Sequence, residues 1–165
     1  MTLTDHPSTD TADAPAGSIA GTDEAPQPDE PPTLVVRPWH DPALAQRGHT
    51  PRSEYVERFW LGVIGPSAVM LLRRLARGLD EHPNGFAIAL PDTARAIGLG
   101  GGTGRSSPVN RTIDRCCMFG VMRRLDNGSV AVRTHLPNLN PRQLARLPLA
   151  VRNSHDAWIG APRAA

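Results

Sequence analysis

The chain has 165 residues, 39% of them hydrophobic, which suffices for one domain with an ordinary core but not for several. It holds no run of eighteen apolar residues, and its N-terminus lacks the basic and apolar regions of a signal peptide. These features argue against membrane spanning and export and predict a cytoplasmic protein. The formal charge of +2 hides a division: residues 1–36 carry seven acidic side chains and no basic one, whereas residues 37–165 carry eighteen arginines against nine acids, a formal +9. There is no lysine, so every cation is a planar guanidinium suited to phosphate oxygens and guanine edges.

Residues 1–33 are rich in Pro, Asp, Thr, Ala and Gly and nearly free of large apolar side chains, so a disordered acidic tail is expected there. Residues 34–52 contain Leu34, Val35, Val36 and Trp39, enough for an extended segment docked on the core or a linker, and their prolines argue against a helix. From Ser53 the pattern turns helical. Ser53 offers an N-cap, Val56, Phe59, Trp60, Val63 and Ile64 share one face, and Gly65 ends the run. Pro66 opens a second helix in which Val69, Leu72, Leu75, Ala76 and Leu79 recur up to Asp80.

Asn84 and Gly85 mark a turn, and Phe86, Ile88 and Leu90 alternate with alanines in the period of a short strand. Asp92 or Thr93 can cap the next helix, which turns Ala94, Ile97 and Leu99 inward and stops in the glycines of residues 98–104. Ser107 followed by Pro108 is a strong helix start, and Val109, Ile113, Cys116, Cys117, Gly120 and Val121 form the inward stripe of a helix over residues 107–124. The adjacent cysteines suit neither a disulfide with each other nor a metal pair and read as reduced packing residues. Asp126-Asn127-Gly128-Ser129 predicts a type I′ hairpin turn, with residues 130–134 as the returning strand. Asn140 and Pro141 begin a short helix, Pro148 interrupts it, and a last helix runs over residues 149–158 before a disordered end at 161–165.

Helix, strand, helix, turn, longer helix and hairpin follow one another over residues 66–135. Residues 90–99 (LPDTARAIGL) look like the first helix of a bacterial helix-turn-helix, and the whole stretch resembles the winged helix-turn-helix superfamily. Residues 97–108 (IGLGGGTGRSSP), with the later RRLDNGSVAVRTHLPNLNPRQLARLP, are similar to a group of small actinobacterial proteins, a likeness that brings no activity with it. The superfamily resemblance implies a mostly α domain with a small antiparallel β wing over residues 53–160, core 66–135, and double-stranded DNA as the partner of a transcriptional regulator. One departure is the turn of residues 100–106, longer and richer in glycine than usual.

In that reading the helix of residues 107–124 enters the major groove, and Asn110, Arg111, Asp114, Arg115 and Met118 project from the core. Arg111 or Arg115 would fork to guanine, Asn110 would pair with adenine, and Asp114 would orient an arginine. Arg105, Ser106 and Ser107 flank the helix N-terminus, where an anion is favoured. Arg123, Arg124 and Arg133 of the wing, residues 123–134, would touch sugar and phosphate. A solvated helix face and ordinary surface arginines are the plainer alternatives.

No enzymatic activity, cofactor or metal is expected. The six histidines are scattered, the glycine stretch lacks the lysine of a Walker motif and the spacing of G-x-G-x-x-G, and His155 with Asp156 and Ser154 matches a triad only in composition. A second class of function is a protein-interaction module on the same scaffold, and the flanking helices could form a homodimer, with Phe59 and Trp60 in one of them. The acidic tail is expected to compete with DNA for the basic face.

Overall fold

The computed structural model describes residues 31–161. The expected acidic tail up to Glu30, and the C-terminus from residue 162, lie outside the described residues. Strand β1, Thr33–Trp39, buries Leu34 and Val36 and exposes Val35 and Arg37, the two-residue period of a strand with one face on a core. Its partners are β2 (Phe86–Ala89), β3 (Met122–Arg124) and β4 (Val130–Arg133), in the order β2-β1-β4-β3.

The expected antiparallel wing is therefore corrected to a four-stranded mixed sheet. β3 and β4 pair antiparallel, with Met122 opposite Val132, but β1 lies parallel to β4, with Val36 opposite Val130 and Trp39 opposite Arg133. On its other edge β1 is antiparallel to β2, with Leu34 opposite Ile88. The segment read as a docking strip is thus an interior strand standing between the short strand and the hairpin. A parallel pairing across some ninety positions leaves no local turn signal, which is why reading the hairpin alone missed it. Pairing with β2 ends at Val36, so Pro38 sits where β1 has only β4 beside it, a place that accommodates a residue without an N–H.

Helix α1, Pro42–Arg47, forms despite the prolines because Pro42 stands at its first turn and the Asp41 carboxylate accepts from the Ala43 N–H at 3.1 Å. The helix expected from Ser53 is a π turn, Val56–Trp60, continued by α2, Leu61–Ile64. It turns Tyr55, Val56, Phe59, Trp60, Val63 and Ile64 inward, and Gly65 ends it at a φ of 84° that other residues rarely adopt. α3, Pro66–Glu81, buries Val69, Leu72, Leu75 and Leu79 as its spacing predicts.

α4, Leu90–Ala96, starts before either expected cap: Ala89 takes the N-cap position without a side-chain bond, and the Leu90 N–H is held instead by Pro32 O at 2.9 Å. α5, Pro108–Met118, is shorter than the expected helix because Phe119 caps it and Gly120, at φ 68°, turns the chain into β3. The hairpin turn also differs. The Gly128 N–H bonds to Leu125 O at 3.0 Å and the Leu125 N–H to Ser129 O at 2.9 Å, so Asp126 and Asn127 are the central pair and Gly128 takes the left-handed position after them. That is a three-residue loop rather than a two-residue type I′ turn. α6, Pro141–Leu144, carries a full capping box from Asn140 and Gln143, and α7, Leu149–Gly160, closes the described chain.

One core joins α3, α5 and the inner face of the sheet to the π turn, with Trp60, Tyr55 and Phe59 among its largest buried side chains. Trp60 is only 1% exposed and donates its indole N–H to Pro137 O at 3.0 Å, so it belongs to the core of its own chain.

Candidate nucleic-acid interface

α5 is positioned from both its ends and its buried stripe. Ser107 is the N-cap, accepting from the Asn110 N–H at 3.4 Å, and Val109, Ile113 and Cys116 are buried against α3 and α4. Thr112 joins that stripe although its hydroxyl hid it from an apolar pattern. The hydroxyl is satisfied locally, donating to Pro108 O at 2.8 Å. Burial pushes the Cys116 thiol up to about 12 and also raises that of Cys117, so both stay protonated at neutral pH.

The outward face carries Arg111, Asp114, Arg115 and Met118, which border one open groove of about 550 Å³ between α5 and the α2–α3 junction. Arg111 is exposed, and its guanidinium has no hydrogen-bond or ion-pair partner among the described residues. Asp114 Oδ1 accepts from Arg124 Nε at 3.2 Å and Nη2 at 2.8 Å, tying the helix face to the hairpin and aiming one of its arginines. Arg115 donates to Val63 O at 3.1 Å and lies 5.7 Å from the Phe119 ring centre, which draws it toward α2.

The other expected contacts are divided. The Asn110 amide donates to Thr103 O at 2.8 Å and Gly104 O at 3.0 Å, so it clamps the glycine loop onto the helix start instead of reaching outward. Arg105 and Ser106 are exposed on that loop, while Ser107 is half-buried at the cap.

In the hairpin, Arg123 lies 4.6 Å and Arg133 3.8 Å from the centre of the Trp39 ring. Arg133 also donates Nε to Gly120 O at 2.8 Å and Nη1 to Asp41 Oδ2 at 2.9 Å, with its side chain 17% exposed. Its hydrogen bond is the main reason the Asp41 carboxyl sits below its ordinary value of 3.8, assisted by the Ala43 and Leu44 N–H groups against the opposing effect of desolvation. Arg133 is therefore an internal brace, and Arg123 and Arg124 are the exposed cations of the hairpin, each held by a partner.

Trp39 and Asp41 were missed as site residues. They belong to the segment read as a linker and meet the hairpin only through the parallel β1·β4 pairing. The run Asp41-Pro42, a capping acid before a first-turn proline, was the local signal available.

Comparisons with protein-family models, curated proteins and solved structures found no match. Among the described residues no group of His, Cys, Asp and Glu is arranged to hold a metal ion, and no helix is long and apolar enough to cross a membrane.

Proposed function

We propose that the chain is a winged helix-turn-helix protein that binds double-stranded DNA, in the manner of a transcriptional regulator, with the outward face of α5 in the major groove and the hairpin on the flanking backbone. The observation that carries this reading is the continuity of the two elements: the Asp114–Arg124 bonds join the α5 face bearing Arg111 to the hairpin bearing Arg123 and Arg124. A donor pair from Arg111 to a guanine edge is the base contact the face can offer, and Arg105, Arg123 and Arg124 serve phosphate oxygens. The insertion of β1 beside the hairpin sets this scaffold apart from a wing built of three antiparallel strands.

The test is fluorescence anisotropy of the whole chain on a random duplex of roughly 30 base pairs across about 50–200 mM salt. Affinity should fall steeply with salt. Arg123→Ala and Arg124→Ala should each reduce the slope by roughly one unit, the signature of a lost phosphate contact. Absence of binding at low salt would overturn the reading. In that case a protein partner becomes the better account, since Met118, at the C-terminal end of the same helix face, is 78% exposed and would seat an apolar side chain.

A further inference from the structure

The C-terminal ends of β1 and β4 run out side by side, and together with the last turns of α3 they enclose a cleft of about 290 Å³. At about 30 Å³ per water, that is room for roughly ten non-hydrogen atoms, near the lower limit for small-molecule sites. The body of the cleft is lined by short, stiff apolar side chains, among them Pro38, Pro51, Ala76 and Pro83, with the exposed Ala45 of α1 at its rim.

Three polar side chains meet in its wall. Thr134 Oγ1 lies 3.4 Å from His40 Nδ1 and 3.4 Å from His135 Nδ1. One hydroxyl proton cannot serve two acceptors at once, and both distances are long for a hydrogen bond. With the imidazole protons on Nδ1 the hydroxyl accepts weakly from both and keeps its own proton, so all three groups have donor capacity for a third party. The charged groups of the wall are already matched: Arg52 pairs with Asp80 at 3.0 Å, and Arg133 with Asp41 at 2.9 Å. A doubly charged phosphate would meet no unmatched cation there. An acceptor-only head with two oxygens and a single charge fits two imidazoles gathered about one hydroxyl.

We propose that this cleft binds a small organic carboxylate with a flat or short apolar body, its head among Thr134, His40 and His135 and its body against the proline and alanine wall. The site stands apart from the duplex reading, because its residues lie on the strand ends away from the hairpin turn and binding is read without nucleic acid.

The experiment titrates the whole chain with benzoate, phenylacetate and hexanoate in turn, following backbone amides by two-dimensional NMR. At least one carboxylate should give saturable shifts centred on Ala45, Thr134 and His135, with the matching neutral alcohol binding more weakly. Thr134→Val should weaken binding by at least roughly tenfold, the worth of one hydrogen bond to a charged group. Ala45→Phe, at an exposed position of α1 on the cleft's rim, should abolish the shifts while leaving the rest of the spectrum in place. Shifts that fail to saturate with all three acids, that persist in Ala45→Phe, or that centre elsewhere would overturn the proposal.

Discussion

Asp41 and Arg133 are 92 positions apart, yet one carboxylate both caps α1 and holds the brace of the hairpin. Because folding lowers the pKa of Asp41, its charged form stabilises the fold above the ordinary value of 3.8, and that contribution is lost as pH falls below it. Asp41→Asn should therefore lower the Tm at neutral pH, and the gap from the unaltered chain should close as the pH is taken below about 4. A gap that stays constant over that range would mean the carboxylate's charge does nothing for the fold. At this scale the sequence was legible where a residue acts on near neighbours. Ser107 before Pro108 starts α5, and the expected role of Asp114 as an arginine's orienter is met by Arg124. It was misleading for Asn110 and Arg133, whose polar side chains look outward in a helical or strand pattern but are engaged by main-chain carbonyls of distant or looping segments.

At the scale of elements, the π turn and α7 are joined by a buried polar relay. The Tyr55 hydroxyl accepts from the Leu139 N–H at 2.8 Å, leaving its own proton for His155 Nε2 at 2.9 Å, which assigns the imidazole proton to Nδ1. Burial raises the Tyr55 hydroxyl above its ordinary range, so it remains a donor at neutral pH. Stacking of its ring on His49, with centroids 3.6 Å apart, fixes where the hydroxyl points. Tyr55→Phe keeps that ring but leaves the buried Leu139 N–H without its acceptor, and urea unfolding should show a loss of about 1–3 kcal/mol. A loss below a few tenths would mean that water reaches the site. The Val56, Phe59 and Trp60 positions were legible as an inward face, but Tyr55, buried beside Val56 where the π turn departs from the regular helical period, was not. His155 turns Nε2 to a tyrosine a hundred positions away, while its Nδ1 lies 3.6 Å from Oδ1 of its sequence neighbour Asp156.

For the whole molecule the consequence is where the fold begins. A boundary at Ser53 follows from periodicity, but β1 fills an interior place in the sheet and bonds on both edges. A chain beginning at Ser53 should fail to unfold cooperatively in calorimetry, whereas one beginning at Pro31 should match the full chain. Equal transitions for all three would show β1 to be dispensable. The chain beginning at Pro31 also tests the acidic tail: its affinity for random duplex at low salt should exceed that of the full chain if the seven carboxylates compete for the basic face, and equal affinity would dispose of that competition. By itself the sequence determined the charge division, the order of helices and hairpin from α3 to β4, and most of the buried stripes, because period, caps and breakers act over a few residues. Only the tertiary structure decided that Thr33–Trp39 separates β2 from β4, which arginines stay outward and which become braces, and where the cleft lies. Those outcomes depend on pairings between segments far apart in the chain, and such pairings are set by the closing of a common core rather than by any local pattern.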